Sequence, residues 1–167
     1  MLRTAPLPAR LAARDPGASD AQVVFYDHRS GECADYLTVS MDAEGEPIIR
    51  FYHGKGAGGP VPGDRVDDLY EVCGQATKCV QWRSKKRLIA HVKTRLRTGS
   101  CFHKGDLPSF LDLVEPSLRY EFSLEVYAVQ PGVSKSQLSP KMALLLATTS
   151  RGLVSVGCQR LRVICSP

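Results

Sequence analysis

Acidic side chains are missing from the centre of this chain. Val72 to Gly105 contains no Asp or Glu, and neither does the stretch 126–167. Any neutralisation of the cations there must come from elsewhere in the chain. Long apolar runs are also missing. The longest, Met142 to Ala147, falls far short of the roughly 18–20 residues that a membrane-spanning helix needs. The opening MLRTAPLPARLAARDPG has no continuous apolar core of a secretory signal, so the sequence points to an intracellular protein, cytoplasmic or nuclear, with reduced thiols. No G-x-x-x-x-G-K-[ST], G-x-S-x-G or H-E-x-x-H run occurs, which excludes a P-loop and the hydrolases that those motifs define. RNP, KH and zinc-finger signatures are absent as well.

What is present is charge arranged in blocks. Residues 1–71 carry 7 basic and 12 acidic side chains, and residues 72–105 carry nine basic and none acidic. Residues 106–125 carry one and five, and residues 126–167 five and none. The net charge of +5 is therefore polarised along the sequence. Folding can pair opposite blocks, or it can leave a basic face for an anionic partner.

The 167 residues suffice for one domain with a real core. Residues 1–20, rich in Pro, Ala and Arg, read as a disordered leader, and 21–167 as a single β-rich domain. Strand signals run through Ala21–His28, then Cys33–Met41 and Pro47–His53 as a hairpin about Asp42–Gly45. They recur at Thr77–Arg83, at Leu118–Val129, and in a closing hairpin of Lys141–Thr149 with Leu153–Cys165. Arg87–Arg97 fits both periods, and its alternation favours a strand with Lys93, Arg95 and Arg97 in one row. Helix signals are confined to Asp64–Val72 and to Asp106–Glu115. The fold class that follows is mainly β: an antiparallel β-sandwich or barrel with one or two short helices. The spacing Gly54-x-Gly56-x-x-Gly59 resembles a dinucleotide fingerprint, but Pro60 and Pro62 block the helix it requires.

Three chemistries arise from the central stretch. Cys73, Cys79, Cys101 and His103, with His91 between them, are candidate ligands of a structural zinc, although x5 between the first pair is wider than usual. Lys78, Arg83, Lys85, Lys86, Arg87, Lys93, Arg95, Arg97 and Lys104, with Trp82, are candidate contacts to RNA, DNA or an acidic protein surface. Trp82 and Phe102 are the aromatics available for base stacking. Cys101 with His103 or His91 is a candidate thiolate–imidazole pair for a cysteine-dependent hydrolase. The sequence favours a non-catalytic binding or regulatory module using a basic face over 78–104, suited to a host-interaction role. A secreted, disulfide-stabilised interaction domain is the alternative, since the cysteine count of six is even.

Overall fold

The computed structural model describes residues 19–27, 30–55 and 66–166. Most of the leader over 1–20 and the glycine fingerprint from Gly56 onward lie outside the described residues. Six strands form one open sheet in the order β4-β1-β2-β3-β5-β6. They are β1 (Val23–Tyr26), β2 (Tyr36–Met41), β3 (Pro47–Gly54), β4 (Cys101–Lys104), β5 (Leu124–Ser134) and β6 (Arg162–Ser166). Among the described residues four helices accompany them: α1 (Val66–Lys78), α2 (Lys85–Arg95), α3 (Leu107–Val114) and α4 (Pro140–Ser155). The antiparallel sandwich or barrel read from the sequence does not form. The sheet is mixed, because β3 pairs with β5 and β5 with β6 in parallel, and the molecule is an α/β protein.

The antiparallel half follows from local signals. β2 and β3 pair in register from Tyr36↔Tyr52 to Met41↔Pro47 across the Asp42–Gly45 turn. The Asp42 carboxylate accepts the amides of Glu44 and Glu46, and Gly45 takes φ +79°. Asp106 caps α3 by accepting the Ser109 amide, and Pro108 sits in its first turn.

Elsewhere the expected strands are helices. Ser84 caps α2, and Leu88 and Val92, one turn apart, are fully buried in the main core. Thr77–Arg83 is the end of α1 followed by a 3-10 turn over Cys79–Arg83. The closing hairpin is α4, capped by Ser139 with Pro140 following, and then β6. Met142 and Leu153 of α4 are buried while Leu144 faces solvent, a helical stripe within an apolar run too uniform to fix a period. The expected long strand Leu118–Val129 begins only at Leu124; Leu118 and Tyr120 are 90% and 88% exposed.

The helices pack on one sheet face. Val23, Phe25, Leu37, Val39, Ile49, Phe51, Leu124 and Val126 meet Ala76, Leu88, Val92, Phe110 and Leu153 there. The opposite face carries a row of tyrosines in register: Tyr26, Tyr36, Tyr52 and Tyr127. Arg162 of β6 lies 5.5 Å from the Tyr127 ring centroid.

Gly105 closes β4 against β1 with φ +72°. A Cβ there would stand 2.9 Å from Val23 Cγ2 and 3.3 Å from the Gln22 carbonyl. Gly105→Ala is therefore expected to cost about 1–3 kcal/mol in chemical denaturation, through positive φ and the crowding of β1 together. An unchanged midpoint would count against this packing.

Candidate functional site

The structure divides the ten residues that the sequence assigns to an anionic partner. Arg95 turns inward on α2 and its Nε donates to Asp27 Oδ1. Arg83 pairs with Glu121 at 3.2 Å and donates to the carbonyls of Phe122 and Val156. Lys85 Nζ donates to the carbonyls of Ser117 and Glu115, and Lys104 Nζ to that of Ala21. Lys93 stands 3.9 Å from Glu115, with both side chains exposed. Lys78, Lys86, Arg87 and Arg97 are exposed, and their side chains make no hydrogen bond or ion pair with a described residue. The row of Lys93, Arg95 and Arg97 expected of a strand is thus broken: at 100° per residue, Arg95 leaves the face that Lys93 shares with Lys86 and Ala90.

The aromatics divide too. Phe102 packs between Phe25 and Phe110, with centroids at 5.0 and 6.4 Å. Trp82, half-buried, lies 4.2 Å from the His91 ring. Tyr120, within the strand expected over Leu118–Val129, stands in solvent beside the first turn of α2, where the Lys85 amide donates to its carbonyl at 3.0 Å. Its alternation pattern runs on unbroken into β5, so only the departure of the backbone from the sheet reveals it. The tyrosine row on the far face is not an open stacking platform, because Tyr36, Tyr52 and Tyr127 are buried. Burial, with the neighbouring Tyr26, Asp35 and Cys101, pushes Tyr36 up to about 12.

The four zinc ligands expected from the sequence are not brought together. Cys73 packs with Leu69, Val133 and Met142, whereas Cys79 lies in the main core. Cys101 and His103 are exposed on β4, with the His103 ring against Tyr26 and Tyr36 of the far face. Among the described residues one metal-type grouping occurs: Asp27, Cys33 and His91 offer atoms within 4.8 Å of one another. Its carboxylate is already saturated. Oδ2 accepts His91 Nε2 at 2.7 Å and the Cys33 amide at 2.9 Å, and Oδ1 accepts Ser100 Oγ at 2.7 Å and Arg95 Nε. A carboxylate has about four lone-pair sites, so a cation would have to displace one of these donors and sit beside a guanidinium. The arrangement suits a hydrogen-bond hub that ties the loop after β1 to α2.

The thiols are poorly placed for catalysis. A nucleophilic cysteine needs a lowered pKa. Here burial pushes Cys33, Cys73, Cys79 and Cys158 upward, and Asp27 adds to the effect on Cys33. Cys79 Sγ lies 2.7 Å from His53 Nε2, but burial holds His53 down to about 4, so that ring is neutral at pH 7. Of the histidines expected to partner Cys101, His91 is engaged by Asp27 and His103 lies against Tyr26.

Beside the hub, residues 30–33, β3, α1 and the 3-10 turn line an open cleft of about 530 Å³, with Glu32, Cys33, His53, Gln75, Lys78 and Trp82 among its walls. His53 and Gln75 line it, and His53 Nδ1 and Gln75 Oε1 are buried without a hydrogen-bond partner. Each such orphan costs about 1–3 kcal/mol. No spacing rule joins His53 to Gln75 or Trp82; the cleft is assembled by tertiary contacts alone. No family model, curated protein or solved structure matches this chain.

Proposed function

We propose that this protein is a non-catalytic module that binds nucleic acid through the solvent face of α2. The observation that carries this reading is that Lys86, Arg87 and Arg97, with Lys78 nearby in the chain, stand exposed without carboxylate partners among the described residues, on a segment that contains no acid. Basic residues in the first turn of a helix oppose its dipole, so Lys85, Lys86 and Arg87 occupy positions that cost stability and favour an incoming anion. Tyr120, exposed next to that turn, adds a ring on which a base can stack. The high pKa of the buried thiols supports binding rather than hydrolysis. An intracellular setting, cytoplasmic or nuclear, belongs to the same proposal, because all six cysteines are free thiols. No helix among the described residues is long and apolar enough to cross a membrane.

Counterion release gives the test. Single-stranded RNA binding followed from about 50 to 200 mM salt should fall with a slope of about −3 in log K against log salt, at ~0.7 per neutralised phosphate. Replacing Lys86, Arg87 and Arg97 together with Ala should reduce that slope by about 2. A flat titration, or a slope unchanged in the triple variant, overturns the reading and points to an acidic protein surface as the partner.

A further inference from the structure

We propose that the cleft between β3, α1 and the 3-10 turn is a nucleobase pocket, with Trp82 as its aromatic wall and His53 Nδ1 and Gln75 Oε1 as its polar readers. The strand-bound form of this inference rests on the nucleic-acid reading above. Its chemistry does not, since an unstacked residue of a single strand and a free mononucleotide offer the same base.

The cleft has the features of a built site. Its volume of about 530 Å³ falls within the roughly 300–1,000 Å³ typical of small-molecule sites. His53 is 2% exposed and its Nδ1 has no partner. Gln75 is held by α1 with its amide oxygen equally unpaired. Buried polar groups in native proteins are almost always satisfied, so orphans on two residues that line one cleft favour a partner from outside. Gln75 Oε1 accepts only, so the ligand must bring an N–H or O–H donor. His53 Nδ1 is adaptable. If the Cys79 thiol donates to Nε2, Nδ1 carries the proton and donates; if Nε2 donates to Cys79 Sγ, Nδ1 accepts. The Cys33 carbonyl, 3.6 Å from Cys79 Sγ, takes the thiol proton in the second arrangement. A planar heteroaromatic ring that offers donors and acceptors along one edge meets these requirements together with the indole of Trp82. Lys78, exposed at the end of α1 on the rim, suits the phosphate attached to such a ring. The same wall does not suit an apolar ligand, which would leave both orphans unpaired.

Trp82 is the chain's one tryptophan, so its fluorescence reports on the cleft. Titration with AMP, GMP, CMP and UMP is expected to quench it saturably for at least one of them, with no change on adding ribose 5-phosphate. Trp82→Ala, followed by calorimetry, should weaken binding about tenfold or more. Gln75→Leu should weaken the same nucleotide about tenfold while leaving the melting temperature of the free protein equal or raised, because it deletes an unpaired buried oxygen. A purely structural Gln75 would move stability and not affinity. Quenching by single-stranded RNA that the mononucleotide reverses assigns the pocket to a base within a strand; mononucleotide binding alongside a flat RNA salt titration assigns it to a free nucleotide. Absence of quenching by all four nucleotides, together with unchanged RNA affinity in Gln75→Leu, overturns the pocket and leaves the α2 reading standing on its own salt slope.

Discussion

Asp27→Ala is expected to destabilise the protein by about 3–5 kcal/mol, a large share of the roughly 5–15 kcal/mol that holds a domain together. Asp27 is fully buried, and its carboxylate satisfies four donors. Its removal leaves Arg95, whose side chain is 14% exposed, charged and without its carboxylate. Breaking one half of such a pair costs more than the pair was worth, because the survivor keeps its desolvation penalty. Chemical denaturation of the variant checks this, and a loss below about 1 kcal/mol would dismiss the hub. The acid limb of the stability profile carries an independent sign. Burial alone would raise the Asp27 carboxyl, but the hydrogen bonds from His91, Arg95, the Cys33 amide and Ser100 outweigh it and bring it from 3.8 down to about 2. The folded carboxyl is thus the stronger acid. Its contribution of about 2 kcal/mol is present in full above the unfolded value and is lost as pH falls from about 4 toward 2. In Asp27→Ala that part of the acid limb should disappear.

Ala90→Pro should cost about 3 kcal/mol or more, a fall of roughly 6–12 °C in melting temperature for a domain of this size. Ala90 lies in the interior of α2, where proline removes the amide hydrogen bond to the preceding turn and drives its ring against the Lys86 carbonyl. Ala90→Lys is the matching control. Ala90 is exposed on the helix, so lysine there should change stability by no more than about 0.5 kcal/mol. On a strand, Ala90 would share the buried face of Leu88 and Val92, and the same lysine would be strongly destabilising. Opposite outcomes for the two substitutions therefore separate the observed helix from the alternation that the sequence also permits. The result matters for function, because only the helix puts Lys86 and Lys93 on one solvent face while turning Arg95 onto Asp27.

Where turn and capping residues speak unambiguously, the sequence is a sufficient guide. Asp42 and Gly45 specify the hairpin of β2 and β3, and Asp106 with Pro108 specifies the start of α3, because each acts on backbone groups within four residues. Ser84 before α2 and Ser139-Pro140 before α4 are signals of the same kind, outweighed in a reading that follows apolar alternation. Composition by itself also determined that cations concentrate between Lys78 and Lys104 and that any carboxylate answering them must come from another part of the chain.

Which cations are answered was decided by the fold. Arg95 meets Asp27 across 68 positions and Arg83 meets Glu121 beside the isolated bridge of Ser84 with Glu121, whereas Lys86 and Arg87 meet no acid among the described residues. The cleft has the same origin: His53 and Cys79 are 26 positions apart, and their contact depends on α1 docking over β3. Local sequence governs the torsions of a few neighbouring residues. Pairing between distant side chains depends on which faces the packed helices present, and that is settled only when the sheet and its helices bury their apolar surfaces together.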